Sequence, residues 1–326
     1  MNCILVTGAA GFIGSVTSRR LLEAGSSVIG IDNLNDYYDV RLKQRRLDSL
    51  KTAANFTFLQ ADIQSVDQME AAFRNHTIDA VINLAARAGV RYSLRNPLVY
   101  MNTNVNGTLN LLEMMRKHGV KKIVLASTSS LYAGQEMPFS EELPVNTPIS
   151  PYAASKKSAE MVAYTYHYLY GMDVSVLRYF TVYGPAGRPD MSPFRFIKWI
   201  DEGIELTVYG DGSQTRDFTY VDDIAEGTIR ALRPLGYEII NLGNNQPHTL
   251  SQLISLVESN LNKKAKIAYQ PSHIADMKKT WADIRKARNI LNWQPQTSLE
   301  EGVHRAVAWH IQNRPLVRQI EIDLSV

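Results

Sequence analysis

Seven residues near the start of the chain constrain its fold more than any other feature. The apolar run Cys3–Thr7 leads directly into Gly8–Gly14, whose sequence is GAAGFIG, and a helical pattern follows. Glycines at this spacing suit a tight turn from a strand into a helix, because a Cβ would stand in the way of close backbone approach. The segment therefore predicts a strand, a compact turn and a helix packed against that strand.

The alternation of strand and helix patterns continues to about Arg178. Short apolar runs rich in β-branched residues are followed by longer amphipathic stretches, most clearly at Val105–Lys117 and Ala153–Tyr170, which is typical of βα units around a parallel sheet. The predicted strands lack a polar face, so we expect burial on both sides. They are Cys3–Thr7, Ser27–Asp32, Phe56–Gln60, Ala80–Leu84, Lys122–Ala126 and Val174–Arg178.

The pattern changes after Arg178, where prolines punctuate a loop. A helix near Phe194–Asp201, a strand near Leu206–Tyr209 and further mixed elements are predicted beyond it. We predict a doubly wound parallel α/β sheet of the Rossmann type over residues 1–178 and a smaller mixed α/β substrate-binding lobe over residues 179–326, some of whose strands can return to the first domain. Because no Ser- or Gly-rich linker separates the lobes, the active site is expected in a cleft between them.

Composition excludes several classes of function. The formal charge is +3 and the basic residues are mostly scattered, so no nucleic-acid partner is expected. Cys3 is the single cysteine, which excludes an internal disulfide and suits a reducing compartment, with a role as core filler. Met1 runs directly into the first strand and no apolar run could span a bilayer, so we expect a cytoplasmic protein without membrane contact.

The glycine-rich turn predicts a dinucleotide site. The N-terminus of a helix presents free N–H groups and a positive dipole end, which suit a pyrophosphate held by Gly8, Gly11, Phe12, Ile13 and Gly14. Asp32 ends the second strand, where a carboxylate accepts hydrogen bonds from ribose hydroxyls; no arginine adjoins it, which favours NAD over NADP. Asp62 and Ile63 follow the third strand and are candidates to meet the adenine. The alternatives are a plain strand-to-helix turn and, for Asp62, a helix N-cap.

A second pattern carries possible acid–base chemistry. Tyr152 and Lys156 are four residues apart on a predicted helix that begins at Pro151, so their side chains share one face. A tyrosine has a pKa of about 10 and becomes a useful base only beside positive charge. The hydroxyl-rich run Ala126–Ser130 ends the fifth strand, at the edge where open α/β sheets bind ligands. The alternatives are an ordinary exposed Tyr and Lys and a solvated turn.

With these motifs in this order, the chain resembles the extended short-chain dehydrogenase/reductase superfamily over nearly its whole length. Longer strings resemble UDP-glucuronate 4-epimerases in particular: DNLNDYYD at Asp32–Asp39, AARAGVRYSLRNP at Ala85–Pro97, and RYFTVYGP and GRPDM within Arg178–Met191. The later stretch Val208–Ile224 is similar to many sugar-nucleotide epimerases, decarboxylases and dehydratases, so it supports the superfamily more than the subtype.

The resemblance implies a role for each matching residue. Tyr152 is the catalytic base, Lys156 its electrostatic partner and Thr128 the hydroxyl between tyrosine and substrate. Substrate contacts are implied for the sugar carboxylate, the diphosphate and the uridine, at Ser129, Ser130, Thr181, Arg188, Arg195, Arg216 and Asp276. Each arginine taken alone is equally well explained as a surface residue, and Asp276 as an N-cap or surface residue. The family's Tyr-Gly after the hydroxyl cluster is replaced by Tyr132-Ala133-Gly134, and its Gly-Asp-Val string by Ile274–Met277.

The resemblance further implies an NAD-dependent enzyme that inverts C4 of UDP-glucuronate through a 4-keto intermediate, giving UDP-galacturonate, and that forms a homodimer through a helical bundle. A UDP-glucuronate decarboxylase and a 4-epimerase of neutral UDP-hexoses stay open. A 4,6-dehydratase is disfavoured because Ser129 and Ser130, not an Asp-Glu pair, follow Thr128. A non-catalytic NAD-sensing protein is a remote alternative, since such proteins commonly lack the Tyr/Lys pair.

Overall fold

The computed structural model describes residues 2–271 and 277–322. Its strands are β1 (Cys3–Thr7), β2 (Ser27–Asp32), β3 (Phe56–Gln60), β4 (Ala80–Asn83), β5 (Lys122–Thr128), β6 (Asp173–Tyr179), β7 (Thr181–Tyr183), β8 (Glu205–Tyr209), β9 (Thr215–Tyr220), β10 (Tyr237–Leu242), β11 (Pro247–Thr249) and β12 (Lys266–Gln270). Each predicted strand is present, with ends that differ from the prediction by at most two residues.

The helices connect these strands along the chain. They are α1 (Phe12–Glu23), α2 (Val40–Leu50), α3 (Val66–Asn75), α4 (Val90–Arg95), α5 (Pro97–Tyr100), α6 (Gly107–His118), α7 (Pro151–Tyr170), α8 (Ser192–Glu202), α9 (Val221–Arg230), α10 (Leu250–Leu261), α11 (Arg285–Leu291), α12 (Leu299–Gln312) and α13 (Arg314–Gln319). A π-helical turn, Met101–Asn106, leads into α6, and a 3-10 turn, Ser129–Tyr132, follows β5. None of the helices in these two described ranges is both long and apolar enough to cross a membrane.

Over the described residues, seven strands form one parallel sheet in the order β10-β6-β5-β4-β1-β2-β3. The order reverses between β1 and β4, so the chain winds outward in both directions from that point, as the α/β prediction required. In such sheets a crevice opens beyond the carboxyl ends of the strands at the reversal. The fold therefore places a ligand site after β1 and β4, and β5 adjoins it.

Alternate side chains of the central strands enter two separate cores. Ile4 and Val6 of β1 belong to one apolar cluster, and Leu5 belongs to the cluster on the opposite face. The expectation of burial on both faces is wrong for β3, where Thr57 and Gln60 are exposed. The reason is position, because β3 is the edge strand and, among the strands that the structure describes, only β2 pairs with it.

The residues after β6 build two smaller sheets and also return to the large one. Strands β7, β9 and β11 form a three-stranded sheet, and β8 pairs with β12 in parallel. They share a core with helices α8, α10 and α12, in which Phe196, Leu253 and Val303 are buried. Strand β10 lies beside β6 in the large sheet, so the second half of the chain forms one edge of the first layer.

Candidate active site

A cleft of about 440 Å³ lies beyond the carboxyl ends of β1, β2, β4 and β5, closed on one side by the start of α7 and by β7. A larger groove, of about 1450 Å³, lies between α1, α9 and α12. That groove is lined by charges that pair with each other, such as Arg19 with Asp222 at 2.8 Å, and it contains neither the glycine turn nor Tyr152. The smaller space, hereafter the cleft, is therefore the candidate active site.

The glycine turn has the shape that a pyrophosphate requires. Gly8 has φ +69°, and a Cβ there would lie 2.8 Å from the Ala85 nitrogen. A Cβ on Gly14 would lie 2.0 Å from the Gly8 carbonyl oxygen, so neither position accepts a side chain without backbone movement. Helix α1 begins at Phe12 with Gly11 as N-cap and no side-chain cap, which leaves the first-turn N–H groups for an anion. This cradle fits a dinucleotide.

The Asp32 carboxylate is oriented by the backbone around it. It is 7% exposed, its Oδ2 accepts the Ala10 N–H at 3.2 Å, and its Oδ1 accepts the Leu34 N–H at 2.9 Å. A carboxylate has about four acceptor positions, so two remain for the hydroxyls of a ribose in the cleft. A buried Asp32 carboxylate without an adjacent arginine suits the two hydroxyls of the NAD ribose better than the 2′-phosphate of NADP.

Asp62 and Ile63 lie on the cleft wall next to Asp32. Asp62 accepts a hydrogen bond from the Asn33 side-chain amide at 2.7 Å, which ties the ends of β2 and β3 together. The alternative role of Asp62 as a helix N-cap is wrong, because Ser65 caps α3 by accepting the Gln68 N–H.

Lys43 is a residue of this wall that the sequence reasoning missed. It lies on α2, is buried, and donates through Nζ to the Asn35 carbonyl at 2.7 Å and to Asn35 Oδ1 at 3.1 Å. Burial lowers the pKa of Lys43 to about 8, although the Asp32 charge opposes that change. In the sequence it stands in a short basic cluster, and no signal distinguishes it from its exposed neighbours.

Tyr152 and Lys156 lie on one face of α7 against the end of β5. Lys156 is buried, and its Nζ donates to the Ala126 carbonyl at 2.9 Å. The Tyr152 side chain interacts with the Thr128 hydroxyl, which favours the phenolate. Because that hydroxyl accepts the Ser130 N–H at 3.1 Å, its own hydrogen is free to point toward the tyrosine oxygen. The predicted catalytic residues are thus brought together.

Burial changes the pKa of both groups. It raises the pKa of Tyr152, while the Thr128 hydrogen bond and the Arg188 charge oppose the rise. It lowers the pKa of Lys156 to about 8, and the Glu160 carboxylate opposes that fall. At neutral pH the isolated tyrosine therefore keeps its proton, and further positive charge beside it is required before it acts as a base.

The far end of the cleft carries the predicted substrate residues. Ser129, Ser130, Thr181 and Arg216 line it together with Arg188. The Arg188 guanidinium donates from Nε to Asp190 Oδ1 at 3.0 Å and from a terminal nitrogen to the second oxygen, and it lies over the Tyr37 ring. One edge of this planar donor is thus engaged, and its other terminal nitrogen remains to meet an acidic ligand.

Two predicted residues are not placed in the cleft. Arg195 lies on α8, half-buried, with its guanidinium carbon 5.4 Å from the Trp199 ring centroid, and it is not among the described residues that line the cleft. Burial lowers the Arg195 pKa. Asp276 lies outside the described residues, although Met277 next to it lines the cleft. The substrate roles of both remain predictions.

Asn104 is a second residue that sequence reasoning missed. It lies in the π-helical turn, accepts the Arg87 N–H at 2.9 Å, and donates to the Arg87 carbonyl and to Ser155 Oγ, each at 2.9 Å. The loop after β4 is thereby fixed to α7 at the residue immediately before Lys156. No residue pattern in the sequence predicts a π-helical turn, so the contacts of Asn104 could not be predicted from the sequence.

Comparison with known proteins agrees with this geometry. The family model for GDP-mannose 4,6-dehydratase matches residues 5–306. A curated relative from Thermodesulfobacterium geofontis, a UDP-glucuronate 4-epimerase, is 58% identical over 323 residues, covering 99% of this chain and 100% of that protein.

Solved structures are similar over almost the whole chain. The UDP-glucuronic acid 4-epimerase from Bacillus cereus, in complex with UDP-glucuronic acid and NAD, is 38% identical with a TM-score of 0.90, covering 95% of this chain and 99% of that one. A UDP-glucose 4-epimerase from Thermotoga maritima with UDP-glucose is 34% identical with a TM-score of 0.87, covering 96% and 99%. The predicted fold and resemblance are confirmed: the chain belongs to the GDP-mannose 4,6-dehydratase family, within the extended short-chain dehydrogenase/reductase superfamily.

Proposed function

We propose that this chain is an NAD-dependent 4-epimerase that interconverts UDP-glucuronate and UDP-galacturonate. The relative from Thermodesulfobacterium geofontis supports the activity over the full length of both proteins. The Bacillus cereus structure supports both ligands, because a chain of the same fold holds UDP-glucuronic acid and NAD. The observation that carries the proposal is the contact of Thr128 with Tyr152 at the end of β5, with Lys156 one turn along the same helix.

The cofactor is assigned to the glycine turn and Asp32. NAD bound there supplies reversible oxidation at C4 of the sugar, and its return to the starting oxidation state explains why no second substrate is required. Tyr152 takes the proton from the sugar 4-hydroxyl, and Thr128 donates a hydrogen bond that favours the phenolate. The Lys156 ammonium, fixed by the Ala126 carbonyl, contributes positive charge to the same place.

The remaining cleft residues control the acid group of the sugar. Oxidation at C4 makes the substrate a β-keto acid, which loses carbon dioxide when its carboxylate bond aligns with the carbonyl π system. An epimerase must therefore hold the carboxylate out of that alignment. Ser129, Ser130 and Arg188 supply hydroxyl and guanidinium donors on the cleft wall for this purpose.

The test is incubation of the purified protein with UDP-glucuronate, followed by NMR of the products. UDP-galacturonate, formed without added oxidant, is expected. A UDP-pentose as the main product would move the chain to the decarboxylases. Equal kcat/KM values for UDP-glucose and UDP-glucuronate would favour an epimerase of neutral hexoses, and absence of turnover with NAD still bound would favour an NAD-sensing protein.

A homodimer and a cytoplasmic location are also part of the proposal. Helix α7 carries Met161, Tyr168 and Leu169 on its surface, and Tyr168 is 76% exposed. Apolar side chains grouped in this way are typical of an interface, and a second copy meeting α7 would give the helical bundle expected from the superfamily. Light scattering of the wild type and of Tyr168→Glu tests the dimer. The lone cysteine, Cys3, suits a reducing compartment.

A further inference from the structure

Three consecutive residues at the end of β5 contact three positions on α7. The Ala126 carbonyl accepts Lys156 Nζ at 2.9 Å, and the Thr128 hydroxyl interacts with Tyr152. Ser127, between them, donates to Glu160 Oε1 at 2.6 Å. The three helical residues, Tyr152, Lys156 and Glu160, are each four positions apart on α7. Tyr152 and Lys156 are the catalytic pair, whereas Glu160 has no role in the reaction as described so far.

Glu160 is more deeply buried than either catalytic residue, at 1% exposure. Its carboxylate accepts Arg178 Nε at 2.9 Å on one oxygen and Arg178 Nη2 at 2.8 Å on the other. Ser127 and Arg178 are partners in the register of β5 and β6, so two adjacent strands bind the same carboxylate. The other guanidinium nitrogen donates to the Tyr132 hydroxyl at 2.8 Å, which donates to Asn241 Oδ1 at 2.8 Å.

A buried ion pair of this kind is weak evidence for stability. Removing two charges from water is unfavourable, and replacement of such pairs by apolar side chains is often neutral or stabilising. The position of this pair, one helical turn beyond Lys156, indicates a different use. A fixed negative charge in a region of low dielectric acts strongly on a neighbouring cation.

We propose that Glu160, held by Arg178 and Ser127, is a positioning residue for catalysis that fixes the end of β5 against α7 and keeps Lys156 protonated. The inference rests on the proposed function, because it concerns the lysine assigned to that reaction. It goes beyond the reaction by giving a functional role to a pair that does not line the cleft.

The charges around Lys156 support this assignment. Burial lowers the pKa of Lys156 to about 8, and Glu160 is the neighbour that raises it. The Glu160 carboxylate itself faces Lys157 Nζ at 3.6 Å on its own helix and Arg178 on β6. The Tyr132 hydroxyl accepts a hydrogen bond from Arg178. The Tyr237 hydroxyl on β10 donates to the backbone carbonyl of Glu160 at 3.4 Å.

The sign of the effect follows from these charges. With Glu160 neutral, the protonated form of Lys156 loses its stabilising partner, so the lysine loses its proton at lower pH. The active enzyme is the form in which Lys156 is protonated, because the ammonium charge favours the Tyr152 phenolate. Glu160→Gln should therefore move the alkaline limb of the kcat–pH profile toward lower pH by about one unit. KM for the nucleotide sugar should stay within about twofold, since Glu160 lies outside the cleft.

A titration that does not depend on turnover tests the same point. The NAD-loaded full chain, labelled with 13C-lysine, is titrated by NMR, and the Lys156 signal is assigned with Lys156→Met. The lysine signal should titrate at lower pH in Glu160→Gln than in the wild type. If the wild type gives no epimerisation, the proposed function fails, while this titration still decides the inference.

The matched control is Asp173→Asn. Asp173 pairs with Lys122 across the same two strands at their other end, so it tests the loss of a tie between β5 and β6 without a change beside Lys156. That variant should lose stability but keep the wild-type pH profile and the wild-type lysine titration. A profile moved equally by Asp173→Asn would overturn the proposal.

A double variant keeps the test decisive if Glu160→Gln does not fold. Glu160→Gln with Arg178→Met removes both charges of the buried pair, and Lys157, which also faced Glu160, is partly exposed to water. It should fold and still lower the pH at which Lys156 titrates. Wild-type titration and kcat–pH profiles in either folded variant would overturn the proposal. Failure of both variants to fold would also overturn it, because the pair would then be required for folding itself.

Discussion

Replacement of Asp32 by asparagine tests the cofactor site with the smallest change in shape. Both carboxylate oxygens accept a backbone N–H, from Ala10 at 3.2 Å and from Leu34 at 2.9 Å. In Asp32→Asn one oxygen becomes an NH2 group that faces a backbone donor. The side chain therefore loses one internal hydrogen bond and one of the two acceptor positions directed at the ribose.

The magnitude follows from the lost bond to the cofactor. A hydrogen bond to a charged group contributes about 1.5–3 kcal/mol. At about 1.4 kcal/mol for each factor of ten, the Kd for NAD should rise by about 10- to 100-fold. The ratio of NAD to NADP affinity should also fall, because the repulsion between a carboxylate and a 2′-phosphate is removed.

Isothermal titration of cofactor-free protein with NAD and NADP measures both effects. Asp36→Asn is the matched control, since it removes the same charge from an exposed position four residues along the chain that does not line the cleft. The control should bind NAD with wild-type affinity. Wild-type affinity in Asp32→Asn, or equal weakening in both variants, would refute the assignment of Asp32 to the ribose.

Further predictions concern the base, the glycine turn and the carboxylate. Tyr152→Phe should retain NAD and lower kcat by about 100-fold or more, measured by NMR of the products; wild-type turnover would exclude it as the base. Gly14→Ala should lose bound NAD, because its Cβ would lie 2.0 Å from a carbonyl oxygen. Gly25→Ala is strained by its φ of +84° but meets open space away from the cleft, so it should retain NAD, and cofactor release on denaturation distinguishes the two variants. Ser129→Ala or Ser130→Ala should raise the fraction of UDP-pentose, and an unchanged product ratio would contradict their role.

Several strands of the large sheet could be predicted from the sequence because their signals are local. The strands β1, β2 and β3 begin and end where the β-branched apolar runs do. The burial of β3 could not be predicted in the same way, because it depends on which strands lie beside it in the sheet. An edge position is a property of topology, and the composition of Phe56–Gln60 does not contain it.

The candidate site shows the same division. The glycine turn, Asp32 and the Tyr152–Lys156 pair each carry a spacing with a physical reason, and the parallel sheet brings them to one edge. Lys43 and Asn104 are held by contacts with Asn35 and Arg87 that exist only after folding. Arg195 was predicted from its position in a motif, and in the folded helix its guanidinium lies over the Trp199 ring, so its role toward the substrate stays a prediction.

Burial has opposing consequences for the proposed reaction. A closed cleft excludes water from a β-keto acid and strengthens every charge interaction within it. The same burial raises the pKa of Tyr152 and lowers that of Lys156, and both changes oppose a phenolate beside an ammonium. The groups that oppose them are the Thr128 hydroxyl and Arg188 for the tyrosine, and Glu160 for the lysine. Loss of Glu160, which does not line the cleft, should therefore be seen first as a change in the pH dependence of turnover, while the two apolar cores on either side of the sheet still hold the fold.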